Sequence, residues 1–316
     1  VWTASGNVAA ATAAVSNGGT AIVANSSSTI ASEQLAHGDA TATTTFTGAS
    51  STNAAVSASA SNNTGAASVQ NGELRLLTNQ ESTGVVSATA DADMGVVSEQ
   101  AVSGVIASAN NLSVGGETAT ILTATRQNAT GASVSARSDL YVGQVTDASG
   151  NATANANAVT IDNQWGYVNA AIEQNATANV SADSYVTLGG DFTGFASAGA
   201  YGVGNQANVS NMGSDTVMDV TQSNGGDVSA NAALDAGSGG MALASSAAYG
   251  NSISGSLCVS CDASGAVPSL TASSSQINDG DVYSSSVIRS TGAVTVGTTS
   301  TAIGNAATYQ VRPPGG

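Results

Sequence analysis

A phrase that starts with Gln and continues in small residues returns along this chain at near-constant intervals, and that recurrence restricts its folding more than any other property. The copies begin at Gln34, Gln80, Gln127, Gln174, Gln222 and Gln276, spaced by 46, 47, 47, 48 and 54 residues. Its fullest form is Gln174-Asn175-Ala176-Thr177-Ala178-Asn179-Val180-Ser181-Ala182. A second anchor follows each Gln by about 30 residues, at Asn63, Asn110, Asn157, Asn205, Asn251 and Asn305, and Asn17 marks the same point of a truncated first unit. The 54-residue interval holds an insertion after Asn251 that carries Cys258 and Cys261. Self-similarity at such a period marks a stacked array whose units cannot bury a core alone.

Within each unit the local pattern has period 2. Gln174 to Leu188 alternates small or apolar with polar residues, and Val217, Met218 and Val220 precede Gln222 in a similar run. Turn residues punctuate the runs at Gly189-Gly190-Asp191, Gly225-Gly226-Asp227 and Ser238-Gly239-Gly240. The expectation is an all-β chain, a β-solenoid of about six to seven 47-residue repeats. Residues 1–311 then form one elongated body with units starting near 1, 34, 80, 127, 174, 222 and 276, and 312–316 form a Pro/Gly tail. A single coil of this length at about 3.3 Å per residue has a perimeter of roughly 155 Å, so two coils of about 23 residues per repeat are the favoured arrangement. In either case equivalent residues stack. A buried amide offers donors and an acceptor and can satisfy both on its own kind, so the Gln and Asn anchors are expected to form structural ladders.

Composition sets the kind of core and the partners. Charged residues make up 8% and aromatic residues 4%, which leaves small side chains on closely facing sheets. Disorder is the competing reading for Ser/Gly/Asn-rich sequence, and 41% hydrophobic content with three Pro argues against it. Net charge is −16, with five Arg and no Lys, so nucleic acid is not an expected partner. No apolar run is long enough for a spanning helix. The opening at Val1, without Met or an apolar leader, fits a mature secreted product. Cys258 and Cys261 form a Cys-x-x-Cys read as a small disulfide pinning the insertion, which indicates an oxidising compartment.

The stretches Gln174-Asn175-Ala176-Thr177-Ala178-Asn179-Val180-Ser181 and Gly204-Asn205-Gln206-Ala207-Asn208-Val209-Ser210 resemble the repeats of curlin-type bacterial amyloid subunits and of the holdfast-anchor proteins of stalked bacteria. The resemblance runs from Asn17 to Asn305; curlin units are about half this length, and their regular Gln/Asn spacing is not reproduced. It implies an extracellular fibre or surface-anchor subunit, secreted to the bacterial surface.

Chemistry of the catalytic kind finds little support. His37 is the sole His and sits in a turn-like His37-Gly38-Asp39, read as solvated. Asp91 with Asp93, and Arg137 with Asp139, each share a strand face and are candidate catalytic pairs, with plain solubilising charge as the default. Asp39, Asp227 and Asp281 recur at equivalent turns and are calcium candidates, with Asx turns as the alternative. Tyr201 and Tyr249 are equivalent and expected to stack, a carbohydrate-binding strip being the sharper alternative. The resulting expectation is a structural protein with no enzymatic activity and no cofactor. Its partners are copies of itself stacked head to tail, with a cell-surface anchor or polysaccharide as further partners. The alternatives are a monomeric adhesin or stalk that binds carbohydrate or surfaces and, less favoured, a polysaccharide-degrading solenoid enzyme.

Overall fold

The computed structural model describes residues 6–259 and 267–312. Among them every regular element is a β-strand. Long and short strands alternate: β1 (Val8–Ala24), β2 (Ser27–Ala36), β3 (Ala40–Gln70), β4 (Glu73–Ser82), β5 (Val86–Glu117), β6 (Thr120–Ala129) and β7 (Ser133–Gln164). They continue with β8 (Val168–Ala176), β9 (Asn179–Leu188), β10 (Phe195–Met212), β11 (Thr216–Asn224), β12 (Val228–Cys258), β13 (Leu270–Asn278) and β14 (Val282–Arg312). The long strands pair in parallel in the order β1-β3-β5-β7-β10-β12-β14, and the short ones in the order β2-β4-β6-β8-β11-β13. One long partner is interrupted: β9 and β10 lie end to end between β7 and β12, separated by a loop that buries Phe192.

Registers correct the expectation of two coils per repeat. Ala55 pairs with Val102, Val102 with Ser149, and Ser197 with Leu243, so each step to the next strand spans a whole unit. Each unit therefore makes one turn. The long perimeter is accommodated because the turn is folded back on itself. In β5 the buried residues are first even (Val86, Ala88, Ala90, Ala92, Met94), then odd from Ala101 to Ala109, then even again at Asn110, Leu112 and Val114. Successive side chains of a strand point to opposite faces. The second half of the long strand thus covers one core with its odd face and another with its even face.

The two cores are distinct. One is an Ala/Val core between the two arms of the long strands, including Ala88, Ala136, Ala182 and Ala230 stacked turn on turn. The other lies between the long-strand ends and the short strands and holds Leu74, Ile121, Val159, Ile161 and Val168. Small side chains bring the layers close, and their facing volumes are matched. Asn62 reaches Ser82, Ala109 and Ala156 take the equivalent places in the following turns, and a Cβ on Gly204 or Gly250 would collide with Oδ1 of Asn224 or Asn278. Where one side grows to Asn, the other shrinks to Gly.

The corners are registered as well. Asn25, Asn71, Thr118, Trp165 and Gly213 occupy one left-handed turn position, with φ of 51°, 51°, 51°, 63° and 76°. Each donates its backbone N–H to a carbonyl in the following turn, as Thr118 does to Gln164 at 2.6 Å. At the last turn the strands end in more exposed residues, including Val294 and Val296, because no described residue lies over them. Cys258 ends β12, and its expected pairing with Cys261 falls outside the described residues.

Candidate functional site

The Gln anchors project from the short strands into the seam between the two cores, where Gln80, Gln127, Gln174 and Gln222 are fully buried. Each donates toward the start of the chain: Gln80 Nε2 to Gln34 Oε1 at 2.7 Å, Gln127 to Gln80 at 2.7 Å, Gln174 to Gln127 at 2.8 Å, Gln222 to Gln174 at 2.8 Å and Gln276 to Gln222 at 2.9 Å. The second N–H crosses to a long-strand carbonyl, as from Gln80 to Asn111 and from Gln127 to Ala158. The Asn anchors run in the opposite sense. Asn17 Nδ2 donates to Asn63 Oδ1, Asn63 to Asn110, Asn110 to Asn157, Asn157 to Asn205, Asn205 to Asn251 and Asn251 to Asn305, all at 2.7–2.8 Å. Their second N–H reaches back to the short strand, as from Asn110 to the Asn128 carbonyl at 2.8 Å. An interior amide thus donates twice and accepts once from its neighbours. Two antiparallel columns of amides stitch successive turns together and divide the cores.

Asp side chains at the corners clip one turn to the next. Asp39 Oδ1 accepts the Val85 N–H at 2.8 Å, and Asp227 Oδ1 accepts the Asp281 N–H at 3.0 Å. These two oxygens are thus engaged by the backbone; Asp281 follows Asp227 in the adjacent turn, and Asp39 lies several turns away. Among the described residues no cluster of three or more His, Cys, Asp or Glu could hold a metal ion. Asp215 takes both the N–H and the hydroxyl of Ser269, at 2.7 and 2.9 Å, which lowers its pKa from the ordinary value. His37 Nδ1 lies 3.1 Å from Thr83 Oγ1 on the surface. Tyr201 and Tyr249 are not equivalent, since Tyr201 pairs with Ala247 and Tyr249 with Val203; their rings meet across a two-residue offset, tilted, with centroids 5.9 Å apart, and burial pushes the Tyr201 hydroxyl up to about 12.

Two surfaces stand out. A shallow groove of ≈ 600 Å³ runs across the outer face of the short strands, floored by Ala31, Ala124 and Ala171 and edged by Glu33, Arg126 and Glu173. The first arm of the long strands presents a flat outer face that brings together both charged pairs singled out above. Asp91 stacks on Asp139, and Asp139 on Tyr185; Asp93 stacks on Tyr141. Arg137 holds Asp139 at 2.9 Å and lies 4.9 Å from the centre of the Tyr185 ring. Tyr141, Asp183 and Tyr185 belong to this face and escape a reading of single units; aligning the units and following the alternate positions after each turn would have found them.

Stacked parallel strands, joined by buried amide ladders, define an all-β protein of parallel sheets. A family model described as holdfast attachment protein D matches residues 2–227. The chain belongs to the holdfast attachment protein D family. Membership implies a surface-anchoring role at or outside the bacterial cell surface. No curated protein and no solved structure matches it. No helix among the described residues is long and apolar enough to cross a membrane.

Proposed function

We propose that this protein is a non-enzymatic β-solenoid subunit of a bacterial surface-anchoring fibre, in which copies stack head to tail. The observation that carries this reading is the state of the ladder ends. Among the described residues, Gln34 Nε2 makes one hydrogen bond, to Thr64, while Gln276 Oε1 accepts none. At the Asn ladder, Asn17 Oδ1 accepts none, while Asn305 Nδ2 reaches only the Gln276 carbonyl at 3.5 Å. Each ladder ends in a donor at one pole and an acceptor at the other, the condition for non-closing, heterologous stacking. With Asn17 of a second copy seated on Asn305, Gln34 stands two turns from Gln276. The Asn ladder is then the one that continues directly across the joint.

Electron microscopy of the purified protein across a concentration series tests this reading. Filaments of constant width are expected; short discrete rods at every concentration would overturn it. The second reading, a monomeric adhesin that holds carbohydrate or a surface, draws support from the flat face carrying Tyr141, Tyr185 and Arg137. Glycan retention by the short rods would favour that reading instead.

A further inference from the structure

We propose that the outer face of the first long-strand arm docks laterally on the same face of a second copy, with Arg289 of each copy seated on Asp93 and Tyr141 of the other. Three outward columns make up this face. The first runs Thr47, Asp93, Tyr141, Thr187, Asp235, Arg289 from turn to turn. The second runs Thr45, Asp91, Asp139, Tyr185, Ala233, Val287, and the third includes Arg137, Asp183 and Asn231.

The molecule already shows what such a pair receives. Asp139 stacked on Tyr185 holds the Arg137 guanidinium, through a 2.9 Å ion pair and a ring contact at 4.9 Å. Asp93 stacked on Tyr141 repeats that pair, one turn earlier and two residues further along the strand. The residue corresponding to Arg137 is there Asp91, so the pair lacks its own cation. Among the described residues neither Asp91 nor Asp93 forms an ion pair, and Tyr141 is 42% exposed.

The chain carries a guanidinium suited to it. Arg75, Arg126 and Arg137 have carboxylate partners in Glu73, Glu173 and Asp139. Arg289 forms no ion pair among the described residues and stands in the same column as Asp93, four steps along. That separation is about 19 Å at the spacing of adjacent strands. A twofold axis parallel to the strands and passing at Thr187 reverses the order of turns while keeping each column on itself. Asp93 then faces Arg289 of the second copy, Tyr141 faces Asp235, and Tyr185 faces Tyr185. The contact is isologous, so the Asp93–Arg289 and Tyr141–Asp235 matches each occur twice. Asp183 meets its own copy near the axis, with its carboxylate accepting bonds from Ser181 and Asn231. Five turns by one strand arm cover roughly 600 Å² per partner, at the small end of specific interfaces, so a concentration- and salt-dependent dimer is expected.

Sedimentation velocity on the wild type, D93R, R289D and their mixture tests the proposal. Wild type should dimerise, and D93R or R289D alone should associate at least tenfold more weakly. Mixing D93R with R289D should restore association, because both cross-contacts in the heterodimer again pair opposite charges. A monomeric wild type at every attainable concentration, or single variants that fail to recombine, would overturn it. Both sites are on the surface, and unchanged melting of each variant checks that the fold is intact. The lateral dimer doubles the width of the rod and lengthens it by only two turns, about 10 Å, whereas end-to-end stacking doubles its length at constant width, so solution scattering separates the failure of one from the failure of the other.

Discussion

At Gln127 one side chain takes part in three hydrogen bonds at once: it donates to Gln80 and Ala158, and accepts from Gln174. Gln127→Leu keeps the bulk but strands the Gln80 oxygen and one N–H of Gln174 in a buried seam. Each such orphan costs about 1–3 kcal/mol, so a loss of several kcal/mol in denaturant unfolding is expected. Unchanged stability would mean that water reaches the seam. Gly204 tests packing rather than polarity. Gly204→Ala meets both the Asn224 amide and the Gly250 carbonyl and should destabilise by about 1–3 kcal/mol; in the Asn224→Ala background the amide clash is gone and the carbonyl clash remains, so the same substitution should cost less but not nothing. A double-mutant cycle with no coupling would refute the volume match. The Gln and Asn positions were legible in the sequence because an amide ladder needs the same residue in every turn. The Gly204–Asn224 match was not, since its partners change identity together and lie 20 residues apart.

For elements, the alternation of small apolar and polar residues signalled strands, and turn signals such as Gly225-Gly226 marked the breaks between them. The course of the turn was harder to read. Four consecutive buried residues, Ala107 to Asn110, carry the change of face in β5, and that switch depends on what packs on each side. Without it a 47-residue turn appears too large, and two coils per repeat look more reasonable. The elements also carry the pH response. Asp215 is held below its ordinary value by Ser269, so its contribution is intact above the unfolded carboxylate pKa of about 3.9 and is lost as pH falls through the lower folded value. Protection of the amides at the start of β13, corrected for the intrinsic exchange rate, should fall as pH drops through that window and be constant above it. Tyr201 is shifted the other way: its contribution is complete below the unfolded tyrosine pKa of about 10 and is lost as pH rises toward the folded value of about 12. Tyrosinate absorbance and circular dichroism followed together should show β10 and β12 loosening in that interval; a full titration of all tyrosines near 10 with no loss of structure would contradict the burial of Tyr201.

Across the whole molecule, stability follows from contacts between neighbouring turns, so the array should not melt as one globule. Residues facing the cores are almost wholly buried from β5 to β12 and far more exposed in β13 and β14. Native-state hydrogen exchange should therefore show protection highest in β7 to β10 and falling toward both poles of the described array. Uniform protection would mean that the terminal turns are covered by something outside the described residues.

The opposed directions of the two amide columns matter most when many turns are added. An aligned column of amides behaves like the aligned peptides of a helix, whose moments of about 3.5 D each add along the axis. Here every turn contributes one amide pointing each way, and the parallel strands add only small net moments of their own. The moments cancel within each turn. A stack of these turns can lengthen without building up ladder dipoles at its tips, so the amide columns themselves set no ceiling on its length.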